Sequence, residues 1–540
     1  MKDKIHVWID GNFYNFFLSK YIHENHDCEI YGIFDVTSKP KKFFETQTLT
    51  NFSKIWFFHD HIKKSVVEHD IQYLKNFETK YNINLNLETI NERSFNKFNK
   101  FYRFTKNEIL SILEQECKLF ESILDQVDPK FLVMHLPFFQ HDNILYQLCK
   151  SRGIKCLLLR TSRISPLKCM ILEDDETNEL KFPVSKNNNS DSVISLKEKL
   201  QKLKKYDVVK KSNDFKTEQS TNKISALCKF LLSNDNIETH FTYYGRTKFR
   251  VLLKTFQMIL KAKWRKSFLD KNSIYQIDDK QKFVYFPLHQ DEEHATLIGA
   301  PFYTNQIEII KIIAQSLPID YSLYVKESPV SSARDWREIS DYKKIISLPN
   351  VKLVHPSVNP HEIYENCSLV ITISGTSALE SLFYGKPSII LSKTSFSGLS
   401  SIQKLDKFDN LPNIIKQSFD KKIDFAELLD YYNFVEKMSF DFNLQESSPC
   451  INSGSPYIID EDGTISDIGA YITNNNFCIN QGDINNDNII NVLDIISLIN
   501  YILGTILPNE CEYLVSDINY DSNLNILDIV LLINIILDGF

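Results

Sequence analysis

Residues 369–391 read LVITISGTSALESLFYGKPSIIL. The run Leu369–Ser374 is short, apolar and β-branched, as a strand buried on both faces is. Gly375 then permits a tight turn and close backbone approach. Thr376 can cap a helix predicted over 376–384, and Gly385-Lys386-Pro387 ends that helix before a second apolar run, SIILS (388–392). Strand, turn, helix, strand is the building unit of a parallel α/β sheet. The free N–H groups at such a helix start suit a phosphate. Glu380 lies one turn after Thr376 on the same face, where it can accept hydrogen bonds from ribose hydroxyls. The same residues also read as an ordinary strand–turn–helix joint with a threonine cap.

Upstream, the apolar runs FVYFPL (283–288), YSLYVKE (321–327) and VKLVH (351–355) predict three more strands, with helices over 303–316 and 360–367. Each strand ends in polar groups. His289, Glu292 and Glu293 follow the first, Lys326 and Glu327 end the second, and His355-Pro356-Ser357 end the third. Carboxyl ends of parallel strands are where such sheets bind ligands.

A similar alternation fills residues 1–165. KIHVWID (4–10), EIYGIFDV (29–36), KIWFFHD (54–60), KFLVMHL (130–136) and IKCLLLR (154–160) predict strands, and 106–127 and 141–152 predict helices. Asp10 after the first strand is the preferred general base, because Gly11 allows ligand approach. His59, Asp60, His135 and His141 are further candidates at strand ends facing a cleft. Residues 166–278 read as an insert plus bridging helices, among them the basic amphipathic stretch RTKFRVLLKTFQMILKAKWRK (246–266), suited to a solvated helix face or to an anionic lipid or polysaccharide.

The 540-residue chain has 62 Lys+Arg and 69 Asp+Glu, a net charge of −7. That value averages two unlike parts. Residues 441–540 contain 15 acids and no Lys or Arg, leaving 54 acids against all 62 basic residues in 1–440. A boundary near 440 follows. The base-free tail excludes nucleic acid as its partner, since phosphate contacts need Lys and Arg. The chain opens without a signal-peptide pattern and has no apolar run long enough to span a membrane. Cys28, Cys117, Cys149, Cys156, Cys169, Cys228 and Cys367 read as small buried hydrophobes; Cys478 and Cys511 each precede a repeated motif, where a disulfide is one option.

The segments PLHQDEEHATLIGAPFYTNQ, YVKESP, LVHPSVNPHEI and ITISGTSALESLFYGKPSI resemble the capsular polysaccharide biosynthesis protein family, which includes bacterial Kdo transferases. The likeness is strong over 283–395 and weaker over 1–165. It implies two Rossmann-like domains of GT-B type, an acceptor domain (1–165) and a nucleotide-sugar domain (279–440). It also implies a glycosyltransferase with a nucleotide-sugar donor, CMP-Kdo-like or other, a lipid-linked or polysaccharide acceptor, and no cofactor for the transfer itself. By this resemblance Ser374, Gly375, Thr376 and Glu380 contact donor phosphate and ribose; by their strand-end positions Lys326 and His289 are further donor-binding candidates, and Asp10, Glu327 and His355 are the catalytic candidates. The family's strand-end motif usually reads Lys-Glu-His-Pro. Ser328 stands in place of that histidine, so either the activity is lost or His355 substitutes. An epimerase or glycerophosphotransferase on the same architecture is an alternative.

The tail repeats itself. DINNDNIINVLDIISLINYIL (483–503) aligns with DINYDSNLNILDIVLLINIIL (517–537). Asp483, Asn485, Asp487, Asn491 and Asp494 occupy positions 1, 3, 5, 9 and 12 of a loop, and Asp517, Asn519, Asp521, Asn525 and Asp528 repeat the pattern. Hard oxygen ligands at these offsets suit Ca²⁺, with the position-7 carbonyl of Ile489 or Asn523. Position 6 is Asn488 or Ser522, and serine tolerates the left-handed conformation less well, so the second site is expected to be weaker. The duplicated loop and helix over 478–540 resembles a type I dockerin, which implies a cohesin-type partner. Residues 448–472 resemble the closing coil of a parallel β-helix, giving a small β segment over 441–477. Dockerins are secreted modules, so the resemblances imply a cytoplasmic or membrane-peripheral body with an extracellular-type tail. A gene fusion is the favoured account, and a dockerin-bearing extracellular binding module or glycoside hydrolase component the alternative.

Overall fold

The computed structural model describes residues 2–11, 13–63, 69–95, 99–164, 168–173, 180–183, 238–291, 293–328 and 337–441, and, further on, 484, 490, 492–503, 508, 510–518 and 524–538. The chain divides into two compact units, 1–442 and 443–540.

The first unit holds two sheets. Strands β1 (Asp3–Ile9), β2 (Cys28–Phe34), β3 (Lys54–Phe57), β4 (Phe131–His135), β5 (Lys155–Thr161) and β6 (Lys168–Leu172) form one, closed by β13 (Phe440–Asp441), in the order β13-β6-β5-β4-β1-β2-β3. β1 to β5 run parallel, while β6 runs antiparallel to both its neighbours, β5 and β13. The second sheet comprises β7 (Phe283–Pro287), β8 (Ser322–Lys326), β9 (Val351–Val354), β10 (Leu369–Thr372), β11 (Ser388–Ile390) and β12 (Ile402–Lys404), ordered β12-β11-β10-β7-β8-β9 and parallel throughout. Both are doubly wound. Strand order reverses between β1 and β4 in the first and between β7 and β10 in the second, and crevices open at such reversals.

Burial explains why these runs became parallel strands. Val7, Trp8 and Ile9 of β1 are all fully buried, as are Leu369, Val370 and Ile371 of β10, so apolar side chains are required on both faces. One face of the first sheet packs Trp8, Ile33 and Trp56 against Phe120 and Ile123 of the helix Lys106–Val127. That helix begins in a capping box between Thr105 and Glu108 and stops at Asp128, whose φ is 51°. A shared core joins the two sheets. Met170 and Leu172 of β6 pack with Leu379, Tyr431 and Val435 from the second half.

The structure differs from the sequence expectations in three places. β6 lies inside the stretch assigned to the insert, yet completes the first sheet. β12 and β13 are two or three residues long and carry no run of apolar residues. The helix expected over 303–316 is a 3₁₀ turn, Pro301–Tyr303, followed by a helix, Gln306–Ser316, capped by the Asn305 side chain.

In the second unit the helices Val492–Ile502, Glu510–Ser516 and Ile526–Asp538 enclose Ile484, Leu498, Val515, Ile518 and Leu532. The β segment expected over 441–477 lies outside the described residues, apart from Asp441 in β13, as do Cys228, Cys450 and Cys478. No described helix is long and apolar enough to cross a membrane.

Candidate active site

The crevice of the second sheet is built by His289, Thr372 and Gly375. His289 follows β7 and Thr372 ends β10, the two strands that flank the reversal. His289 Nε2 lies 2.9 Å from Thr372 Oγ1, which accepts the Gly375 N–H at 3.2 Å. Burial, with the charges of Arg163 and Arg337, lowers the His289 pKa to about 4. The imidazole is therefore neutral and can accept the threonine O–H, while the threonine oxygen accepts the Gly375 N–H. A Cβ on Gly375 would stand 2.8 Å from Thr372 Oγ1 and 3.1 Å from the His289 ring. Close approach, rather than a left-handed turn, is what requires glycine here.

Thr376 does not cap the following helix, Ser377–Leu382, with its side chain. Its hydroxyl instead donates to Glu380 Oε1 at 2.8 Å, and Tyr364 donates to Glu380 Oε2 at 2.8 Å. The carboxylate is thus aimed by two hydroxyls. Ser374 reaches the Ala295 carbonyl at 3.5 Å. Lys326 is almost completely buried at the end of β8. Burial pushes its ammonium pKa down to about 8, against the opposing pull of Glu327 and Glu380. A buried lysine close to a carboxylate and a crevice is a ready receptor for an anion.

Glu327 and His355 stand apart from this group. The Glu327 oxygens accept the Ser328 N–H at 3.0 Å and the Tyr342 hydroxyl at 2.8 Å, and form an ion pair with Arg337, whose Nε lies 3.2 Å away. Glu327 is only 1% exposed and acts as an anchor for Arg337. Arg337 also pairs with Asp291 at 2.6 Å and donates to the His289 carbonyl. It ties the ends of β7 and β8 together, a role that nothing in its local sequence signals. His355 follows the edge strand β9. It contacts Asp270 at 3.1 Å and Ser357 at 2.6 Å and stacks on Tyr275.

Facing the second sheet, a cavity of about 520 Å³ is lined by Asp10, His135, Arg93, Arg160 and Arg163 from the first half and Glu293, His294 and Ala295 from the second. His294 Nδ1 meets the Pro137 carbonyl at 2.6 Å, joining the two sides. Asp10 and His135 end β1 and β4, the strands flanking the first reversal. His135 lies 3.8 Å from Asp10 and 3.3 Å from Asp142. Burial opposes its charge, but the Asp142 hydrogen bond and the nearby carboxylates prevail, so its pKa is raised. A Cβ on Gly11 would meet nothing within 4 Å, so that glycine marks open space and no close contact.

The other first-half candidates do not line this cavity. Asp60 pairs with Lys41 on the surface at 2.6 Å. His59 and His141 share Asp35, at 2.6 and 3.3 Å, in a buried network that also approaches Glu116 and His240. Asp35 ends β2 and was not a sequence candidate. Its signal was position alone, a carboxylate at a strand end.

In the second unit the last position of each repeated loop is resolved. Asp494 accepts the Ile484 N–H at 2.7 Å, and Asp528 accepts the Ile518 N–H at 2.9 Å. The same bond closes both copies. Asp494, Asp517 and Asp528 are buried. Residues 441–540 contain no Lys or Arg, so a bound cation would stabilise these carboxylates further. Buried hard-oxygen donors fit Ca²⁺. Asp483, Asn485, Asp487, Asn491, Asn519 and Asp521 lie outside the described residues, and no cluster of three His, Cys, Asp or Glu that could hold a metal occurs among the described ones.

Residues 189–432 match the family model for capsule polysaccharide biosynthesis proteins, and residues 481–537 match that for the dockerin type I domain. No curated protein matches the chain. Among solved structures, similarity extends to a Thermosulfurimonas dismutans KpsC, beta Kdo 2,7 transferase (10% identity, 58% of this chain and 79% of that one, TM-score 0.28). It also extends to a Methanocaldococcus jannaschii UDP-GlcNAc 2-epimerase in complex with UDP-GlcNAc and UDP (13% identity, 81% and 99%, TM-score 0.26). A third is the Candida albicans trehalose-6-phosphate phosphatase N-terminal domain (9% identity, 81% and 93%, TM-score 0.29).

Proposed function

We propose that residues 1–440 transfer a sugar from a nucleotide-sugar donor to a surface-polysaccharide or lipid-linked acceptor, and that the tail docks the chain to a cohesin-type partner when calcium is bound. The observation carrying the first part is the pairing of two doubly wound sheets with polar groups at both strand-order reversals, Asp10 and His135 at one and His289, Thr372 and Gly375 at the other. The match of 189–432 to the capsule polysaccharide biosynthesis family supports the same reading. In it, the donor phosphates meet Lys326 where the backbone at Gly375 allows close approach, and Glu380 receives the ribose hydroxyls. Asp10 takes the acceptor proton as the acceptor oxygen bonds the sugar carbon. The nucleotide leaves with the electron pair of the broken bond, and Lys326 receives its charge. His135, held by Asp142, orients Asp10. Glu327 and His355 have no part in this scheme. A CMP-Kdo-like donor is the first to test.

The experiment is donor screening with the full chain against CMP-, UDP-, GDP- and CDP-linked sugars, followed by Asp10→Asn and Glu380→Gln in the best pair. Asp10→Asn is expected to lower turnover by about 10²- to 10⁴-fold with donor affinity retained. Glu380→Gln is expected to weaken donor binding. Full activity in Asp10→Asn would remove the proposed base.

For the tail, Ca²⁺ is held by the two Asx-rich loops, with Asp494 and Asp528 as terminal ligands, and supplies the charge that lets them close. The dockerin match supports this. Calorimetry of the full chain showing no Ca²⁺ binding up to millimolar concentration would remove it.

A further inference from the structure

The helix Lys248–Asn272 is inverted relative to a normal surface helix. Arg265 and Leu269 are buried against the body, Arg265 bound by Glu338 at 2.5 Å, and Val251 and Met258, seven residues apart and seven before Arg265, are half-buried on the same face. The opposite face should then be polar. It instead carries Phe249, Leu253, Phe256, Leu260 and Trp264, at intervals of four, three, four and four. Phe249 is 75% exposed, Phe256 60% and Trp264 69%. A continuous apolar stripe of this size facing solvent marks a surface that something covers.

Its flanks identify the occupant. Arg250 and Lys261 border one side, Lys263 and Lys266 the other, and all four are exposed. The helix contains eight Lys or Arg and a single acid, Asp270. Two copies of so basic a helix would repel each other. A nucleic acid would leave the aromatic stripe uncovered. An anionic bilayer satisfies both parts, since phenyl, indole and leucyl groups enter the acyl boundary while the flanking ammonium and guanidinium groups meet lipid phosphates. No described helix spans a membrane, so this would be attachment in the plane of the surface.

We infer that Lys248–Asn272 is an in-plane docking helix for a membrane leaflet rich in anionic lipid. The inference is independent of the transferase reading, because it concerns where the chain rests and not what the cleft does.

The test is sedimentation of the full chain with vesicles of phosphatidylcholine alone and of phosphatidylcholine with phosphatidylglycerol in equal parts. Binding is expected to the mixed vesicles, with salt weakening it. The double variant Phe256→Gln, Trp264→Gln should lower partitioning by about tenfold or more, with its circular dichroism and melting unchanged, since both side chains are solvent-facing. Brominated acyl chains should quench Trp264 fluorescence. Absence of binding, equal binding by the variant, or indifference to phosphatidylglycerol would each overturn the inference. So would a concentration-dependent dimer in light scattering that the variant abolishes, since the stripe would then face a second copy.

Discussion

His289 and Thr372 meet at 2.9 Å across the two strands where the second sheet reverses its order, and Gly375 closes onto the same hydroxyl. The geometry has no room for a methyl group. Gly375→Ala is expected to cost about 1–3 kcal/mol in urea unfolding through overpacking against Thr372 and His289. If the crevice holds donor, the same change should weaken donor binding, measurable by calorimetry on the folded fraction.

Lys326 gives the site a pH signature. Its folded pKa of about 8 lies below the ordinary 10.5 because burial opposes the charge. An anionic donor phosphate favours the charged form, so donor affinity should be flat below pH 8 and fall by about tenfold per unit above it. Lys326→Met should abolish this pH dependence along with most of the affinity. It should leave stability equal or higher, because a buried charge is removed.

The Asp35 network makes stability fall with rising pH. His141 is raised to about 9, where burial is outweighed by the Asp35 bond and neighbouring carboxylates. Its contribution is complete below the ordinary 6.5 and lost as pH passes 9. Burial raises Glu116 to about 8, so the folded chain keeps a proton that the unfolded chain has shed above 4.5. These two groups therefore contribute a decline in stability between pH 5 and 9, against the opposing rise up to pH 6.5 from buried histidines with lowered pKa such as His289. Glu116→Gln should remove the lower part of that decline, read by chemical unfolding at pH 5, 7 and 9.

Asp494→Asn and Asp528→Asn separate charge from hydrogen bonding in the tail. Each keeps an oxygen for the Ile484 or Ile518 N–H and removes a negative ligand. Calcium affinity should drop by about tenfold or more per altered loop, with the helices retained in circular dichroism. Unchanged affinity would mean that the metal, if any, binds elsewhere.

The strands were legible because a parallel sheet buried on both faces demands unbroken apolar runs, as in Val7-Trp8-Ile9 and Leu369–Ile371. The edges were not. β12 and β13 are held by their neighbours and leave no pattern of their own. At the site, Gly375 and Glu380 could be read from spacing, since one helical turn brings Thr376 to Glu380. Arg337 and Asp35 could not. Each acts on residues distant in sequence, Arg337 on His289 and Glu327, Asp35 on His59 and His141, and such pairings exist only after folding. The same limit explains His355, whose strand-end position suggested chemistry but whose strand lies at the sheet's outer edge.

β13 pairs with β6, so the last residues of the first unit close a sheet begun at residue 3. Topologically, the entire second sheet is an insertion within the first. A ribosome must therefore deliver about 440 residues before β6 gains its outer neighbour, so the amino-terminal layer would be complete only after the second sheet has been made. For anyone trimming the tail, a cut before Ser439 would strip that edge and expose β6, whereas a cut after Phe442 would spare it.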